Sequence, residues 1–492
     1  MRIKLSRALN ENYFILDNLG SSKDNFEEIL NFAEIQSRLK SVAIVLDINV
    51  WNDLDSATRA IIETRDVDLI ILIGEKEIIT ESQLEVLQFA DEEAFINSGY
   101  LDAQHDKYIV LKSSGKFNFN KTVTYCSWRS HNTVLKVDLN AITHNTITYK
   151  KELNSDTKLM VMVKAFAYGA GIHEVSKWLQ HLMVDYFGVA FIDEGIELRQ
   201  NGIEAPIMVM SPGPDDSAML IKYDLEPEVY EMEQLKSYLA AYQKANKILP
   251  AHIMLNTGMN RLGFDHSEIT ALIEVISSNK ESIEVKSLQT HLAAADEVQH
   301  NEFTEKQISS FDSMAETLKK ALNIDPLMHN LNSAGIANFS KHQMGMVRLG
   351  IGLHGVDSSK KLDLKFPSQL KTTLTQIRKV GKGESIGYGR KGKAEKDLTI
   401  ATIPIGYADG YLRAYGNGKA YVTINGRKAP TIGNVCMDMT MIDITGISAK
   451  VNDDVTLFGE HPTIEDLAGW SNTISYEVLT NISSRVQREY FI

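Results

Sequence analysis

The stretch LMVMVKA, at Leu159–Ala165, is a short apolar run that leads into a lysine, and it is the first of eight such runs along the middle of the chain. Between the runs lie segments with helical spacing of apolar residues, such as HEVSKWLQHL and EMEQLKSYLAAYQKA. Eight strands alternating with helices are typical of a (β/α)8 barrel, so we expect an α/β fold built on a TIM barrel. The other seven runs are YFGVAF (Tyr186–Phe191), PIMVM (Pro206–Met210), LEPEVY (Leu225–Tyr230), AHIMLN (Ala251–Asn256), VKSLQTHL (Val285–Leu292), LMHNLNS (Leu327–Ser333) and MVRLGI (Met346–Ile351).

The regions on either side of the predicted barrel have different patterns. After about residue 367, runs such as LTIATIPIGY and MTMIDIT are separated by Gly, Asn and Asp turns, which predicts a C-terminal all-β domain. Before about residue 120, apolar runs at Ser41–Ile48, Val67–Gly74 and Tyr108–Ser114 and an amphipathic stretch at Asn25–Leu39 predict a small α/β domain. We therefore expect three domains, at 1–125, 134–367 and 368–492.

Composition narrows the class of partner. The chain has 492 residues, and its net charge is 51 − 64 = −13, which disfavours binding to nucleic acid or to an anionic membrane surface. The two cysteines, Cys126 and Cys436, are too few for a disulfide framework. The N-terminus lacks the apolar run of a signal peptide, and no stretch has the length of a membrane span. We expect a cytoplasmic protein with no metal site and a small-molecule substrate.

The ends of three predicted strands carry candidate active-site residues. Lys164 ends the first strand, where partial desolvation would make its amine a better nucleophile toward an aldehyde; the alternative is a lysine that only reaches to solvent. Asn332–Gly335 and Gly350–Gly352 offer a hydroxyl and backbone N–H groups to a phosphate, although both could be an ordinary helix cap and turn. Arg348, inside the eighth strand, needs a buried partner.

From about Thr133 onward these motifs resemble those of bacterial alanine racemases, which are fold-type III enzymes dependent on pyridoxal 5′-phosphate (PLP). VKAFAYGAG resembles the segment that carries the cofactor, which implies that PLP attaches to Lys164. NTGMNRLGF, QTHLAAAD, HNLNSAG and MVRLGIGLHG resemble four further family segments. The resemblance implies Arg261 beside the substrate carboxylate, His291 against the ring, and Arg348 at the ring nitrogen. It implies phosphate contacts from Tyr168, Ser333, Gly350 and Ile351.

The predicted β domain carries the remaining family segments. GESIGYGR implies that Tyr388 is the second catalytic base, IPIGYADGYLR places Tyr407 at the substrate entrance, and GNVCMDM implies that the Met437 amide contacts the substrate carboxylate. ISYEVLTNISSRVQREY implies that Tyr476 is a phosphate ligand. In this family the active sites form across a head-to-tail homodimer, so Tyr388, Tyr407 and Met437 would serve the partner subunit. The alternative is that both tyrosines are structural residues of Gly-rich turns.

The implied activity is interconversion of L- and D-alanine by two bases, Lys164 and Tyr388, which supplies D-alanine for peptidoglycan. Four positions depart from the family pattern: Met254 replaces a lysine that is carbamylated in many members, Asn256 an aspartate, Phe166 an asparagine and Leu349 a proline. These changes affect the tuning of Arg261 more than the reaction. Alternatives are a racemase of another small amino acid such as serine, a fold-type III decarboxylase, and a catalytically silent PLP-binding scaffold.

The first region resembles the C-terminal domain of Mur ligases, in particular the enzyme that adds D-alanyl-D-alanine to the peptidoglycan precursor. ENYFILDNLGSSKDNFEEIL is similar to the opening of that domain, and IVLKSSGKFNFNKTV to its end. The sequence contains no GxxxxGK[ST] phosphate loop, and the ATP-binding domain of those ligases has no counterpart. We therefore expect a Rossmann-like domain at 1–125 without ligase activity.

Overall fold

The computed structural model describes residues 3–8, 12–17, 26–37, 41–65, 67–76, 78, 84–112, 119–126, 132–357 and 359–492. The chain divides into two compact units. One unit contains residues 1–140 and 367–492, and the other contains residues 141–366. Parts of the N-terminal resemblance, at 18–25 and 113–118, lie outside the described residues, as do the ends of the predicted helix at Asn25–Leu39.

The N-terminal part of the first unit is an α/β arrangement. Strands β2, β6, β3, β4 and β5 lie side by side in that order and are parallel, while β1 pairs antiparallel with β2. The predicted strands at Ser41–Ile48, Val67–Gly74 and Tyr108–Ser114 correspond to β3, β4 and β6. The strands are β1 (Ile3–Arg7), β2 (Tyr13–Asp17), β3 (Val42–Asp47), β4 (Val67–Ile73), β5 (Glu85–Phe89), β6 (Tyr108–Lys112) and β7 (Val134–Asp138). The helices are Phe26–Ser37, Ile48–Asp53, Ser56–Thr64, Glu92–Asn97, Tyr100–Ala103 and Asn120–Cys126.

The second unit is the predicted barrel. Its eight strands form one parallel sheet in the order β14-β13-β12-β11-β10-β9-β8-β15. The two strands at the ends of this sheet, β14 and β15, approach each other, so the sheet nearly closes into a barrel. Strands β9, β10 and β15 are buried along their whole length, as expected of parallel strands covered by helices. The strands are β8 (Lys158–Met162), β9 (Tyr186–Val189), β10 (Ile207–Val209), β11 (Glu226–Val229), β12 (Leu249–Met254), β13 (Ile283–Gln289), β14 (Leu327–His329) and β15 (Met346–Leu349). Thus all eight predicted strands are confirmed.

Helices follow the barrel strands in the predicted alternation. The strands end earlier than the sequence runs suggested, because residues such as Ser333 and Gly350 already belong to the caps and turns of the mouth. The carboxyl ends of all eight parallel strands point to this mouth, where barrel active sites lie. The helices are Leu139–Lys151, Ile172–His181, Ile192–Gln200, Ser217–Lys222, Met232–Lys244, Ile269–Ser278, Asn301–Leu322 and Ser333–Asn338.

The C-terminal part of the first unit is β-rich, as predicted, and it also contains two short helices, Ile464–Ser471 and Ser475–Thr480. Its strands are β16 (Ser368–Thr373), β17 (Gln376–Val380), β18 (Ser385–Ile386), β19 (Gly392–Lys393), β20 (Leu398–Ile403), β21 (Tyr421–Ile424), β22 (Arg427–Pro430), β23 (Thr440–Asp443), β24 (Asp454–Phe458) and β25 (Gln487–Phe491). Strands β17, β20 and β23 form a separate antiparallel sheet.

One sheet of twelve strands joins the two parts of the first unit, in the order β22-β21-β24-β16-β7-β25-β1-β2-β6-β3-β4-β5. Its central junction is the antiparallel pairing of β1 with β25, where Leu5 lies opposite Tyr490 and Lys4 forms an ion pair with Glu489 at 2.5 Å. Strand β7, which falls inside the range expected for the barrel, pairs instead with β16 and β25. In the described portion of the chain, no helix has the length and apolarity needed to cross a bilayer.

Candidate active site

Lys164 stands at the start of an unusual turn at the barrel mouth. After β8 and the buried Val163, four successive residues, Ala165 to Tyr168, have positive φ between 50° and 57°. A left-handed turn of non-glycine residues costs about 1–2 kcal/mol per residue, so neighbouring structure must hold it in place. Glu194 does part of this, since its carboxylate accepts hydrogen bonds from the N–H groups of Ala165 at 2.6 Å and Ala190 at 2.7 Å.

The surroundings of Lys164 favour its neutral, nucleophilic form. Burial lowers the pKa of its amine, the cations Arg261 and Arg348 lower it further, and the carboxylates Glu228 and Glu194 oppose the shift. A partly desolvated amine among other cations is the environment expected of a lysine that condenses with a carbonyl group. The predicted candidate therefore has the electrostatic setting that its role requires.

The Ser333 hydroxyl and two glycine amides form a cradle at the ends of β14 and β15. Ser333 Oγ accepts hydrogen bonds from the N–H groups of Gly350 at 2.8 Å and Gly352 at 3.3 Å, which leaves its own hydrogen to donate. A Cβ on Gly350 would lie 2.7 Å from the Tyr168 hydroxyl and 3.8 Å from Ser333 Oγ. The structure thus brings the predicted phosphate ligands Tyr168, Ser333, Gly350 and the buried Ile351 together at the ends of β14 and β15. Two hydroxyls gathered around a glycine backbone that a Cβ would crowd fit a phosphate group.

Arg348 is buried in β15 and is held by acceptors on neighbouring strands. Its Nη1 donates to His329 Nδ1 at 2.7 Å, and its Nη2 donates to the carbonyl of Thr290 at 2.6 Å. Burial lowers the pKa of its guanidinium to about 10, and Glu228 opposes that shift, so the group stays protonated at neutral pH. A fixed, protonated donor at this position suits a pyridine nitrogen that is to remain unprotonated.

A chain of hydrogen bonds runs from Arg348 across the barrel. His329 Nε2 lies 2.8 Å from Ser287 Oγ, which lies 2.7 Å from His252 Nδ1, and His252 Nε2 lies 2.8 Å from Glu226 Oε2. Because arginine can only donate, His329 accepts at Nδ1 and donates from Nε2 to Ser287 Oγ. Ser287 then donates to His252 Nδ1, and His252 donates from Nε2 to Glu226. Burial strongly lowers the pKa of His329, in line with a neutral ring that accepts at Nδ1 and donates at Nε2.

His291 and Arg261 complete the barrel side of the site. Burial, together with the nearby cations Arg348, Arg261 and Lys164, lowers the pKa of His291 to about 3, so the ring is neutral and able to pack on another ring. The Arg261 loop is organised by Asn256, whose Oδ1 accepts from the N–H groups of Gly258 and Asn260. The Asn256 amide also donates to Asp265 at 2.8 Å, a contact that the aspartate usual here could not make.

The Arg261 guanidinium is exposed, and within the described ranges it has no hydrogen-bond or ion-pair partner. The loop that carries it turns at Gly258, Asn260 and Gly263, which all have positive φ. A Cβ on Gly263 would lie 2.8 Å from the backbone nitrogen of Asn256, so only glycine fits at that turn. A fixed loop that presents an unpaired guanidinium is able to bind a carboxylate.

Four predicted site residues lie in the other unit and are exposed there: Tyr388 at 68%, Met437 at 53%, Tyr476 at 42% and Tyr407 at 40% of their full surface. Three of them share one loop cluster. The Tyr388 carbonyl accepts from Asn434 Nδ2 at 2.9 Å, and the Tyr407 amide donates to the Cys436 carbonyl at 3.1 Å. The Ala408 amide donates to the Met437 carbonyl at 3.0 Å. The structure therefore collects Tyr388, Tyr407 and Met437 on neighbouring loops.

Comparisons with known proteins identify the family of this chain. Residues 137–358 match the family model described as alanine racemase, N-terminal domain, and residues 368–490 match the model described as alanine racemase, C-terminal domain. The protein named alanine racemase from Halothermothrix orenii is 38% identical over 382 residues, which are 75% of this chain and 98% of that protein. The chain belongs to the alanine racemase family.

Solved structures of alanine racemases share the fold. That of the alanine racemase from Clostridium difficile 630 has 35% identity and a TM-score of 0.69, and covers 74% of this chain and 96% of its own. That of the alanine racemase from Bartonella henselae, described with covalently bound pyridoxal phosphate, has 30% identity and a TM-score of 0.68 over 73% of this chain and 99% of its own. These racemases leave the first part of this chain unmatched.

Several polar residues of the racemase site were not predicted. They are Glu226, Glu228, His252, Ser287 and His329, which all lie on barrel strands. Their signal was present in the sequence, because a polar residue inside a run such as LMHNLNS or AHIMLN needs a buried partner. The sequence does not show which strands face one another, so the relay from Arg348 to Glu226 became visible only in the structure.

Proposed function

We propose that this protein racemises alanine with PLP attached to Lys164. The observation that carries the proposal is the placement, at one barrel mouth, of an amine with a lowered pKa, the cradle of Ser333 and Gly350, and a buried Arg348. When bound, PLP supplies an aldehyde that condenses with amines and a conjugated ring that accepts negative charge from the substrate Cα. Tyr168, Ser333, Gly350, Ile351 and Tyr476 would hold its phosphate.

The protein side of the reaction needs two bases on opposite faces of the substrate. Lys164 serves one face, since its lowered pKa leaves more of the amine unprotonated at neutral pH. The partner subunit's Tyr388 serves the other face, and a neighbouring Arg261 cation would stabilise its phenolate. The Arg261 guanidinium and the Met437 amide bind the substrate carboxylate. His291 and Arg348 would hold the ring, and a protonated guanidinium at its nitrogen would limit how far negative charge spreads into it, which would suppress transamination.

We infer that the active unit is a head-to-tail homodimer. Tyr388, Tyr407 and Met437 are large side chains on adjacent loops, yet each is at least two fifths exposed. Exposed aromatic and methionine side chains of this kind are common where a second chain docks. In the proposed arrangement they close the partner subunit's barrel mouth, with Tyr407 and Tyr476 narrowing the entrance to favour the methyl group of alanine.

We also infer that residues 1–125 are a non-catalytic domain, in addition to a barrel domain at 134–367 and a C-terminal domain at 368–492, with whose sheet its own is continuous. The resemblance of its sequence to a Mur ligase C-terminal domain, and the parallel order of β2, β6, β3, β4 and β5, support this view. The absence of a phosphate loop from the sequence argues against ligase activity. The Halothermothrix orenii racemase is matched over 98% of its length without this region, which supports a role outside the chemistry.

The test uses the purified full chain loaded with PLP. Borohydride reduction, digestion and mass spectrometry should find a pyridoxyl group on Lys164, and chiral chromatography should show D-alanine formed from L-alanine. Serine should also react, because a small pocket discriminates weakly between similar side chains, but more slowly than alanine. Lysine should not react. No adduct at Lys164, a faster rate on lysine, or a bound cofactor without deuterium uptake at the alanine Cα would each contradict the proposal.

A further inference from the structure

The segment that carries His291 is held by one side chain of the helix that follows it, Asn301–Leu322. Gln307 of this helix accepts a hydrogen bond at Oε1 from the Ala293 N–H group, at 2.9 Å. Its Nε2 donates to the His291 carbonyl at 3.2 Å. Among the described residues, neither of these two backbone groups has another hydrogen-bond partner. A single amide therefore satisfies both backbone groups of the turn that leaves β13.

The His291 ring has no polar contact that would fix it. Within the described ranges its buried Nδ1 has no hydrogen-bond partner. Burial and the nearby cations lower the pKa of the ring to about 3, so it is neutral and forms no ion pair at neutral pH. The orientation of the ring therefore depends on packing and on the backbone that carries it. Gln307 holds that backbone.

The aliphatic part of Gln307 lies against the loop that carries Arg261. A Cβ on Gly258 of that loop would lie 3.7 Å from Gln307 Cγ, which is an ordinary van der Waals distance. A further contact joins the same two segments, since the hydroxyl oxygens of Thr257 and Thr290 lie 2.7 Å apart. The loop of Arg261 and the segment of His291 are therefore neighbours, and Gln307 contacts both.

The amide of Gln307 is an exception on its side of the helix. Most of the other buried positions are apolar, as the core-facing side of a barrel helix requires; they include Ile308, Phe311, Met314 and Leu318. Gln307 is only 1% exposed, and a buried amide is destabilising unless it is hydrogen-bonded. Both of its polar atoms bond to the His291 segment, so a glutamine is favourable here because it holds that segment.

We propose that Gln307 is a positioning residue of the racemase site. Its amide fixes the segment whose histidine, His291, packs against the cofactor ring, and its aliphatic part supports the loop whose Arg261 binds the substrate carboxylate. The proposal deepens the proposed function and rests on it for the roles of His291 and Arg261. Gln307 touches neither substrate nor cofactor in this account, and it acts through the two segments that it holds.

Gln307→Met tests the amide alone, because methionine keeps a Cγ and a similar length but has no amide. In the cofactor-free full chain, hydrogen exchange of the Ala293 N–H group is followed by mass spectrometry of its peptide. It should become about two- to tenfold faster, the range that loss of one neutral hydrogen bond gives. The dissociation constant of PLP, measured by absorbance titration, should rise by a similar factor, because the His291 segment is then less ordered before binding.

Gln307→Ala also removes the aliphatic part that supports the Arg261 loop. Hydrogen exchange in residues 256–263 should become faster in this variant than in Gln307→Met. In the loaded enzyme, KM for alanine should rise by about threefold or more, since a misplaced guanidinium loses part of a charge-assisted hydrogen bond to the carboxylate. The fall in kcat should be smaller than the rise in KM, because neither Lys164 nor Tyr388 is changed.

Gln234 provides the matched control. It is a buried glutamine of the helix Met232–Lys244, and it also holds two backbone groups of the barrel unit. Its Oε1 accepts from the Tyr230 N–H group at 3.0 Å, and its Nε2 donates to the Pro212 carbonyl at 3.2 Å. Neither Tyr230 nor Pro212 is a predicted site residue. Gln234→Met and Gln234→Ala should therefore leave exchange at Ala293, PLP affinity and KM unchanged.

Three results would each overturn the proposal: unchanged exchange at Ala293 in Gln307→Met, faster exchange there with unchanged PLP affinity, and an unchanged KM in Gln307→Ala. Equal effects from the Gln234 variants would also overturn it. If Gln307→Met does not fold, Gln307→Leu carries the same expectations. Because exchange and cofactor binding need no turnover, both changes in a protein that fails to racemise alanine would reject the proposed function and leave the positioning role of Gln307 standing.

Discussion

At the scale of single residues, Tyr388 offers the most direct test of the second base. Tyr388→Phe removes only the hydroxyl, so it should slow both directions of alanine racemisation by about 100-fold or more, the usual contribution of an acid–base group. Chiral product analysis and deuterium uptake at Cα measure the loss, and the pyridoxyl content should not change. Tyr421→Phe, in β21 of the same unit, should keep full activity. Equal rates for the Tyr388 variant and the original protein would place the second base elsewhere.

Ser287 is the middle residue of the chain of hydrogen bonds that runs from Arg348 to Glu226. Ser287→Ala would leave His329 Nε2 and His252 Nδ1 buried without the partner that they now share. Each unsatisfied buried group costs about 1–3 kcal/mol, so unfolding free energy should fall by about 2 kcal/mol or more. Denaturant unfolding of the cofactor-free protein measures it. Ser176→Ala is the control, since that buried hydroxyl has no hydrogen-bond partner among the residues described. An equal fall in unfolding free energy for Ser176→Ala would refute the stabilising role of Ser287 in the hydrogen-bond chain.

At the scale of elements, the turn from Lys164 to Tyr168 stores backbone strain. Phe166 has φ 57° and ψ 44°, a region that asparagine adopts more readily than other residues with a Cβ. Phe166→Asn should therefore raise unfolding free energy by about 1 kcal/mol in the cofactor-free protein, as measured by denaturant titration. Phe166→Leu loses the same ring without gaining that preference, so it should not be stabilised. If the Phe166→Asn variant is no more stable than the Phe166→Leu variant, the backbone strain of this turn is relieved elsewhere.

The strands show how far local sequence specifies this fold. Runs such as LMVMVKA and MVRLGI were sufficient to predict β8 and β15, because a strand buried on both faces is mostly apolar. They were not sufficient to place the ends, since Ser333 and Gly350 continue a strand-like pattern while Ser333 begins a helix and Gly350 begins a turn. The left-handed turn at Ala165–Tyr168 was not predicted either, because alanine, phenylalanine and tyrosine carry no preference for positive φ.

The candidate site, like the strands, could be predicted from the sequence only in part. Lys164, Ser333 and Arg348 were predicted because the active site of a barrel is built from reactive and charged residues at the ends of its strands. The partners that orient them, such as His329 for Arg348, depend on which strands are neighbours. The alignment of β11, β12 and β13 brings together residues more than sixty positions apart, as in the bond from Gln289 to Glu228. Only the closed sheet reveals those contacts.

At the scale of the whole molecule, the pairing of β1 with β25 bears on the purpose of the N-terminal region. On its other side β25 pairs only with β7, so without β1 it would become an edge strand. Exposed edges lose ladder hydrogen bonds and invite association with other chains. The racemases that match about three quarters of this chain over nearly their full length lack this region. The N-terminal region is therefore expected to protect the last strand and to leave the chemistry unaffected.

A chain that begins at residue 132 should test this expectation. It should retain alanine racemisation, while the three residue pairs of the β1–β25 ladder are lost at about 0.5–1.5 kcal/mol per hydrogen bond. Hydrogen exchange of the β25 amides should become faster, and the melting temperature should fall. In the full chain Leu5→Pro removes one ladder donor opposite Tyr490 and should speed exchange in β25, whereas Leu87→Pro in β5, at the far edge of the sheet, should not. Unchanged protection of β25 in both the shortened chain and the Leu5 variant would mean that the last strand is stable without its neighbour, and that the N-terminal region serves some other purpose.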